Sequence, residues 1–171
     1  MNYLKGKRCY LSGVIEFDKS TTNWRIEPKK FLAELGIDVF DPFAHTKQKL
    51  VTELNKAKQK RDFETIRKIA RMFVKKDLHE TTLCHFILSY VPKNTVMCGT
   101  WWEIHLANSQ KKPCLLVSDG DKLAISTWIF GIIRHESIYN NWEEAFSYLR
   151  EVNAGLHKSN ERWSDVYGLL D

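Results

Sequence analysis

Residues 83–91 read LCHFILSYV, a nearly continuous apolar run with the length of one strand. A strand that is apolar on both faces is typical of the centre of a parallel sheet covered by helices on both sides. Apolar residues at helical spacing lie before it, at 46–80, and after it, at 99–108. This stretch therefore predicts an α/β fold.

The rest of the chain continues the alternation. Apolar runs at 8–12, 37–40 and 113–118 predict strands, and GIIRH at 131–135 predicts a short last strand. Helical spacing predicts helices at 24–35, 121–130 and 141–153. Gly36 is the expected C-cap of the first helix, and the long helical region should break near Arg61 and Asp62. We expect a parallel sheet of about five strands between helices, joined by right-handed crossovers.

Length and composition indicate one globular domain over residues 1–171. Of these residues, 43% are hydrophobic and 27% charged, which is ordinary for a globular protein. No apolar run approaches the ~20 residues of a membrane span, and the first residues lack a signal-peptide layout. We therefore expect a cytoplasmic protein without a membrane partner. The four cysteines are scattered without a CxxC pair, which favours buried free thiols over a metal site, and no cofactor is expected.

The net charge of +5 does not by itself indicate a nucleic-acid partner. Much of the excess lies at 46–77, where charges alternate with apolar residues at helical spacing. That pattern is more typical of a solvated helix face than of a DNA-binding surface, and aromatic residues for base stacking are not interleaved. Attraction of a small phosphate is the alternative.

Ligands of open parallel sheets bind outside the carboxyl ends of the strands, near the point where the strand order reverses. This rule selects residues 10–17, 41–43, 90–99 and 118–121. The candidate binding residues in these segments are Ser12, Gly13, Asp41, Pro42 and Gly99.

Glu103 lies in MCGTWWEIHLA, residues 97–107, at the start of a predicted helix. One interpretation is a capping box, because Thr100 precedes it by three residues. The other is a functional carboxylate that faces the crevice, where Trp101 and Trp102 would form an apolar wall and raise its pKa. The residues alone leave both interpretations open.

Asp77 is a second candidate carboxylate, near the end of the long helical region. Taken alone it would be a surface charge, and Tyr10, at the end of the first strand, would be a core residue. Two carboxylates that converge on an aromatic-lined cleft suit glycosidic chemistry. One can attack or stabilise a cationic sugar carbon while the other handles a proton or a sugar hydroxyl.

Several motifs together resemble the nucleoside 2-deoxyribosyltransferase family, which also includes deoxynucleoside 5′-monophosphate N-glycosidases. They are YLSGVIEF followed by NWR, GIDVFDP, the aspartate in KKDLHETTLCHFIL, and CGTWWEIHLA followed by KKPCLLV. The resemblance covers roughly residues 8 to 135. It implies a flavodoxin-like (Rossmann-like) three-layer fold and a homo-oligomer, either a dimer or a dimer of dimers, with shared active sites.

The resemblance also implies roles for particular residues. Glu103 matches the family nucleophile, which attacks C1′ of the deoxyribose and holds a covalent glycosyl intermediate. Asp77 matches the aspartate that contacts the sugar and helps to protonate the departing base. Tyr10 matches the tyrosine that orients the nucleophile, and Gly13 the turn that lets the substrate approach.

Other matched positions are expected near the substrate, but some depart from the family pattern. Trp24 and Thr100 belong to the matched motifs, and Ser126 falls where transferases tend to carry asparagine and the monophosphate glycosidases serine. Met97 replaces an acidic residue of many transferases and a serine of the monophosphate glycosidases. Val14 replaces a phosphate-binding serine of the latter.

The implied function is cleavage or transfer of the N-glycosidic bond of a small-molecule substrate, a 2′-deoxyribonucleoside or its 5′-monophosphate. Two alternatives remain, an NAD-type glycohydrolase and a non-catalytic nucleotide-binding or sensing module. A helical insertion around 45–71, longer than in small family members, would cap the cleft or build a subunit contact. Family analogy alone suggests that the C-terminal NERWSDVYGLLD, residues 160–171, reaches a partner subunit.

Overall fold

A parallel β-sheet forms the centre of the molecule. The structure, a computed structural model, describes residues 2–14, 24–43, 45–93, 95 and 97–169, with the backbone alone at 45–48. Within these residues the sheet has five strands in the order β2-β1-β3-β4-β5, all parallel. They are β1 (Arg8–Gly13), β2 (Asp38–Phe40), β3 (Phe86–Val91), β4 (Cys114–Ser118) and β5 (Ile138–Tyr139). This is the flavodoxin-like order, whose switch point lies between β1 and β3.

Helices cover both faces of the sheet. In the described part of the chain they are α1 (Ile26–Glu34), α2 (His45–Lys60), α3 (Phe63–Leu83), α4 (Cys98–Ser109), α5 (Thr127–Phe130), α6 (Trp142–Ala154) and α7 (Ser164–Tyr167). Phe31 of α1 and Phe146 of α6 pack into one core, the α1/α6 core. Ile104 of α4 and Ile129 of α5 pack into the opposite one, the α4 core. The expected three-layer α/β fold is confirmed.

Strand β3 lies in the middle of the sheet, as its sequence predicts. Phe86 and Leu88 point into the α1/α6 core, whereas Ile87 and Val91 point into the α4 core. A strand that contributes to two cores needs apolar residues in both alternating positions. This requirement explains why the run shows no alternation in its sequence.

The predicted boundaries at 36 and 61–62 are confirmed. Gly36 follows α1 with φ +71°, a conformation that glycine adopts without steric cost. Arg61 interrupts the long helical region with φ +54°. Asp62 then caps α3, because its side chain accepts a hydrogen bond from the Thr65 amide at 3.1 Å.

Two predictions in the region 121–135 are wrong. Residues 121–130 do not form one helix, because a 3₁₀ turn at Lys122–Ala124 gives way to extended Ile125 before α5 begins. The last strand is β5, not 131–135. Ile133 instead closes a turn, with its amide 2.7 Å from the Ile129 carbonyl, and both side chains enter the α4 core. An apolar turn and a short buried strand have the same composition, so the sequence pattern did not separate them.

The C-terminal segment packs on its own chain as far as residue 169. Trp163 is 1% exposed in the α1/α6 core, and its indole N–H donates to the Tyr148 hydroxyl at 2.8 Å. The Tyr167 hydroxyl donates to the Val152 carbonyl at 2.9 Å. The segment up to residue 169 therefore forms part of the fold of the subunit, and its expected contact with a partner subunit stays a prediction.

The described residues contain no helix that is both long and apolar enough to span a bilayer.

Cysteines Cys9, Cys84 and Cys114 are buried free thiols, and Cys98 is exposed. Burial raises the pKa of Cys84 to about 11 and that of Cys114 to about 12, so both thiols are protonated at neutral pH.

We expect Trp163→Ala to lower the free energy of unfolding by about 3–5 kcal/mol, because it removes a fully buried indole and leaves a cavity. Leu156→Ala is the control, since Leu156 is 71% exposed and its truncation should cost little. Urea unfolding followed by circular dichroism measures both variants. Equal stability of the two would show that the C-terminal segment is not part of the core.

Candidate active site

Glu103 is the buried carboxylate at the centre of the site. Helix α4 begins at Cys98, so Glu103 lies in its second turn, where its side chain is directed at the sheet and is 7% exposed. The Tyr10 hydroxyl donates to Glu103 Oε1 at 2.7 Å, and the Ser12 hydroxyl donates to Oε2. Each carboxylate oxygen thus receives its own donor from β1.

The capping-box interpretation is wrong. Met97 is the N-cap of α4 and makes no side-chain capping hydrogen bond. Thr100 is the third residue of the helix and is buried. The Glu103 carboxylate accepts hydrogen bonds from the hydroxyls of Tyr10 and Ser12 on β1. It is therefore directed at the sheet and not at the start of the helix.

The expected tryptophan wall is only half correct. Trp101 is partly buried and packs against the α4 core. Trp102 is 63% exposed and meets His105 edge-on, with ring centroids 6.4 Å apart. Both tryptophans line an open cleft on the outer side of α4, and Glu103 is not among the residues that line it. Glu103 is buried by the sheet and not by Trp102.

Tyr10 joins the two candidate carboxylates. Its ring is fully buried and stacks on Phe40 at 5.4 Å. Burial raises the pKa of the Tyr10 phenol far above its ordinary value, and the charges of Glu103 and Asp77 raise it further. The phenol therefore keeps its proton and acts as a donor throughout the physiological range. Asp77, on α3, is itself buried, so the three predicted catalytic residues lie together.

Gly13 and Trp24 lie in contact at the end of β1. A Cβ atom at Gly13 would come within 2.5 Å of Trp24 Cζ2, so any larger residue would displace the indole. Trp24 also stacks on Trp142 at 5.7 Å and lies 5.3 Å from the Tyr90 ring. These three half-buried rings form an aromatic ledge at the carboxyl edge of β1 and β3.

Asp41 is placed at the expected edge, but its carboxylate faces protein cations. It lies 3.1 Å from Arg25 Nε and pairs with Lys29, and it accepts the Phe43 amide at 2.8 Å. Pro42, next to it, is buried. Sequence reasoning missed Arg25, whose only signal was its place in the NWR motif.

The remaining candidates lie near the surface. Gly99 is the exposed second residue of α4. Ser126 is the exposed residue before α5. The described residues contain no group of three or more His, Cys, Asp or Glu side chains that could hold a metal ion.

Comparison with known proteins identifies the family. The family model for nucleoside 2-deoxyribosyltransferase matches residues 9–155, which is most of the chain. The chain belongs to the nucleoside 2-deoxyribosyltransferase family. It is therefore an enzyme of that family, and the matched region contains Tyr10, Asp77 and Glu103. No curated protein matches the chain.

Two solved structures share the fold of this nucleoside 2-deoxyribosyltransferase family member. The 2-deoxyribosyltransferase of Bacillus psychrosaccharolyticus is 18% identical with a TM-score of 0.54, over 83% of this chain and 95% of the other. The CMP N-glycosidase BcmB of Clostridium botulinum is 23% identical with a TM-score of 0.50, over 85% of this chain and 99% of the other. At these identities the likeness supports the fold alone.

We expect Tyr10→Phe to destabilise the protein by about 1.5–3 kcal/mol, because it removes a buried donor from a carboxylate. Tyr139→Phe is the matched control, since the buried Tyr139 hydroxyl has no hydrogen-bond partner among the described residues. Its loss should leave stability unchanged or slightly higher. Urea unfolding at pH 7 compares the two, and equal effects would contradict the assigned hydrogen bond.

Proposed function

We propose that Glu103 is the nucleophile in the cleavage or transfer of the N-glycosidic bond of 2′-deoxyribonucleosides or their 5′-monophosphates. The observation that carries this proposal is the pair of hydrogen bonds from Tyr10 and Ser12 to the two oxygens of Glu103. Hydrogen bonds to the charged form favour an ionised carboxylate, and ionisation is what a nucleophile requires.

The reaction takes place in two displacements at C1′. A Glu103 oxygen attacks C1′, the C1′–N bond breaks with its electron pair on the base, and a glycosyl ester forms. Asp77 supplies the proton that makes the base a better leaving group. An acceptor base or a water molecule then attacks C1′, gives up a proton to the Asp77 carboxylate, and releases Glu103 as a carboxylate. Transfer and hydrolysis differ only in this second nucleophile.

Tyr10 orients Glu103 and does not exchange protons. Its pKa is raised far above 10 by burial and by the two nearby carboxylates, so it cannot serve as a base near neutral pH. A fixed donor on one oxygen restricts rotation of the carboxylate and presents it in one orientation. Ser12 restrains the second oxygen from the same strand.

The aromatic ledge of Trp24, Tyr90 and Trp142 is the proposed contact for the base or sugar. Flat apolar surfaces favour stacked aromatic ligands, and the close approach of Gly13 to Trp24 fixes the position of the ledge. Val14 and Met97, which replace polar residues of known members, are buried in the α4 core. Neither of them can supply a hydrogen bond to phosphate or to a base.

Base release from a panel of deoxynucleosides and their 5′-monophosphates tests the function, with and without a second free base. The panel also includes NAD, and the products released from it test the alternative of an NAD-type glycohydrolase. We expect deoxyribosyl substrates to release base, and dependence on the acceptor base to distinguish transfer from hydrolysis. Binding of nucleotides without any base release would contradict the proposal and favour a binding module.

Glu103→Ala should lower turnover by at least roughly 10³-fold, because no other group at this position can form the ester. Glu53→Ala is the control, since Glu53 is an exposed glutamate of α2 and should keep wild-type turnover. Thermal unfolding of both variants verifies the fold. Retention of wild-type turnover in Glu103→Ala would contradict the proposal.

We also propose that the enzyme is a homo-oligomer that uses the outer face of α4. The exposed side chains of Trp102 and Trp128 lie on α4 and α5, and an open cleft of about 230 Å³ runs between these helices. Helix α4 thus carries Glu103 on its inner face and unpartnered aromatic surface on its outer face. A second copy on this face would bring Ser126, which precedes α5, close to the other subunit.

Trp102→Glu should convert the oligomer to a monomer, because it places a charge in an apolar contact. Leu156→Glu is the control, because Leu156 is also exposed but follows α6. Sedimentation at several protein concentrations measures the mass of both. A wild-type protein that is monomeric throughout would contradict the proposed interface.

The helical hairpin of α2 and the first half of α3 corresponds to the proposed insertion at 45–71. Helix α2 packs along α3, and α3 in turn packs against α4 and β1, so the hairpin is continuous with the helix that carries Asp77. We propose that it is part of a single domain with the sheet.

The buried free thiols support a reducing, cytoplasmic location.

A further inference from the structure

Arg25 is a buried cation beside the proposed site. It lies just before α1, is 3% exposed, and stacks on the Trp24 ring with Cζ 4.2 Å from the centroid. Its two terminal nitrogens donate to the carbonyls of Gly13 and Val14, each at 3.3 Å. Its Nε lies 3.1 Å from an Asp41 oxygen. One side chain thus connects the ends of β1 and β2 with the start of α1.

This contact network continues to Glu103. The backbone that Arg25 holds begins at Gly13, directly after Ser12, whose hydroxyl donates to Glu103. A shift of this backbone would therefore move a donor of the nucleophile. A planar guanidinium reaches two carbonyls and a carboxylate from three separate nitrogens, whereas a lysine has to reach all its acceptors from a single nitrogen.

The cluster also has a net positive charge. Asp41 pairs with both Arg25 and Lys29, so one negative charge faces two positive ones. Among the described residues, Tyr10 on β1 donates to Glu103, and Asp77 on α3 acts together with Glu103 on the Tyr10 phenol. Tyr10 is neutral. When Asp77 is ionised, its negative charge disfavours the charge on Glu103, and the cationic cluster opposes this effect.

We propose that Arg25 is a positioning residue for the reaction, which holds the Ser12–Val14 backbone against Glu103 and keeps the nucleophile ionised through its charge. This inference rests on the proposed role of Glu103. It assigns Asp41 the role of orienting Arg25, in place of the substrate contact expected from the sequence.

The test is the acidic limb of kcat/KM against pH, which reports ionisation of the nucleophile in the free enzyme. Arg25→Met removes a positive charge and should move this limb to higher pH. Asp41→Asn removes a negative charge from the same cluster and should move it to lower pH. We expect the acidic limbs of the two variants to shift in opposite directions. A purely structural role would lower activity in both variants but leave the acidic limb at the wild-type pH.

Arg25→Lys separates charge from geometry. It should leave the acidic limb near that of the wild type but lower kcat by roughly ten- to a hundredfold, because one nitrogen replaces the planar group that holds the two carbonyls and Asp41 in a fixed arrangement. Arg150→Lys is the matched control, because Arg150 also has a carboxylate partner, Glu143 at 2.8 Å, and a ring, Phe31, but lies on α6. It should keep wild-type kinetics.

Thermal unfolding identifies any variant that fails to fold. The double variant Arg25→Met with Asp41→Asn then replaces Arg25→Met, because it removes the Arg25–Asp41 pair as a whole and leaves only the more exposed Lys29 without its partner. The double variant should lose kcat like Arg25→Lys. Wild-type kcat in folded Arg25→Lys, or acidic limbs that coincide in all variants, would overturn the inference. Turnover in Glu103→Ala would instead overturn the proposed function itself.

Discussion

The two hydrogen bonds from β1 to Glu103 join the helix that carries the carboxylate to the strand at the switch point of the sheet. Tyr10 and Ser12 occupy alternate positions of β1, so both hydroxyls point into the α4 core towards one side chain. A buried carboxylate without such donors would lose its charge or destabilise the fold. This contact joins α4 to β1, and with Tyr10 it brings Glu103 and Asp77 into one electrostatic group.

In the proposed mechanism, the same contact explains how Glu103 can both attack C1′ and leave it. Donors that stabilise the ionised form of Glu103 keep it available as a nucleophile, and they also stabilise the carboxylate that is released when the ester breaks. Because Tyr10 stays protonated, this environment does not change with pH near neutrality. Only the proton on Asp77 needs to move during the first displacement.

The sequence predicted those parts of the molecule that depend on local patterns. The central strand β3 and the break at Arg61 and Asp62 were found where expected, and the Tyr10 hydroxyl contacts Glu103, as the family resemblance implied. The orientation of Trp102 was not predicted correctly. Trp102 and Glu103 are adjacent in sequence, but on the helix Trp102 is exposed and Glu103 is buried. Arg25 and the last strand depend on contacts between distant segments, Arg25 with Asp41 and β5 with β4, which no local pattern encodes.

The most direct measurement is the mass of the enzyme trapped during turnover. The protein is mixed with a deoxynucleoside or its 5′-monophosphate, quenched with acid, digested and analysed by mass spectrometry. We predict a deoxyribosyl or deoxyribosyl-phosphate adduct on the peptide that contains Glu103, and none in Glu103→Ala. Base release in a single turnover without any adduct, or an adduct on another residue, would contradict the assignment of Glu103 as the nucleophile.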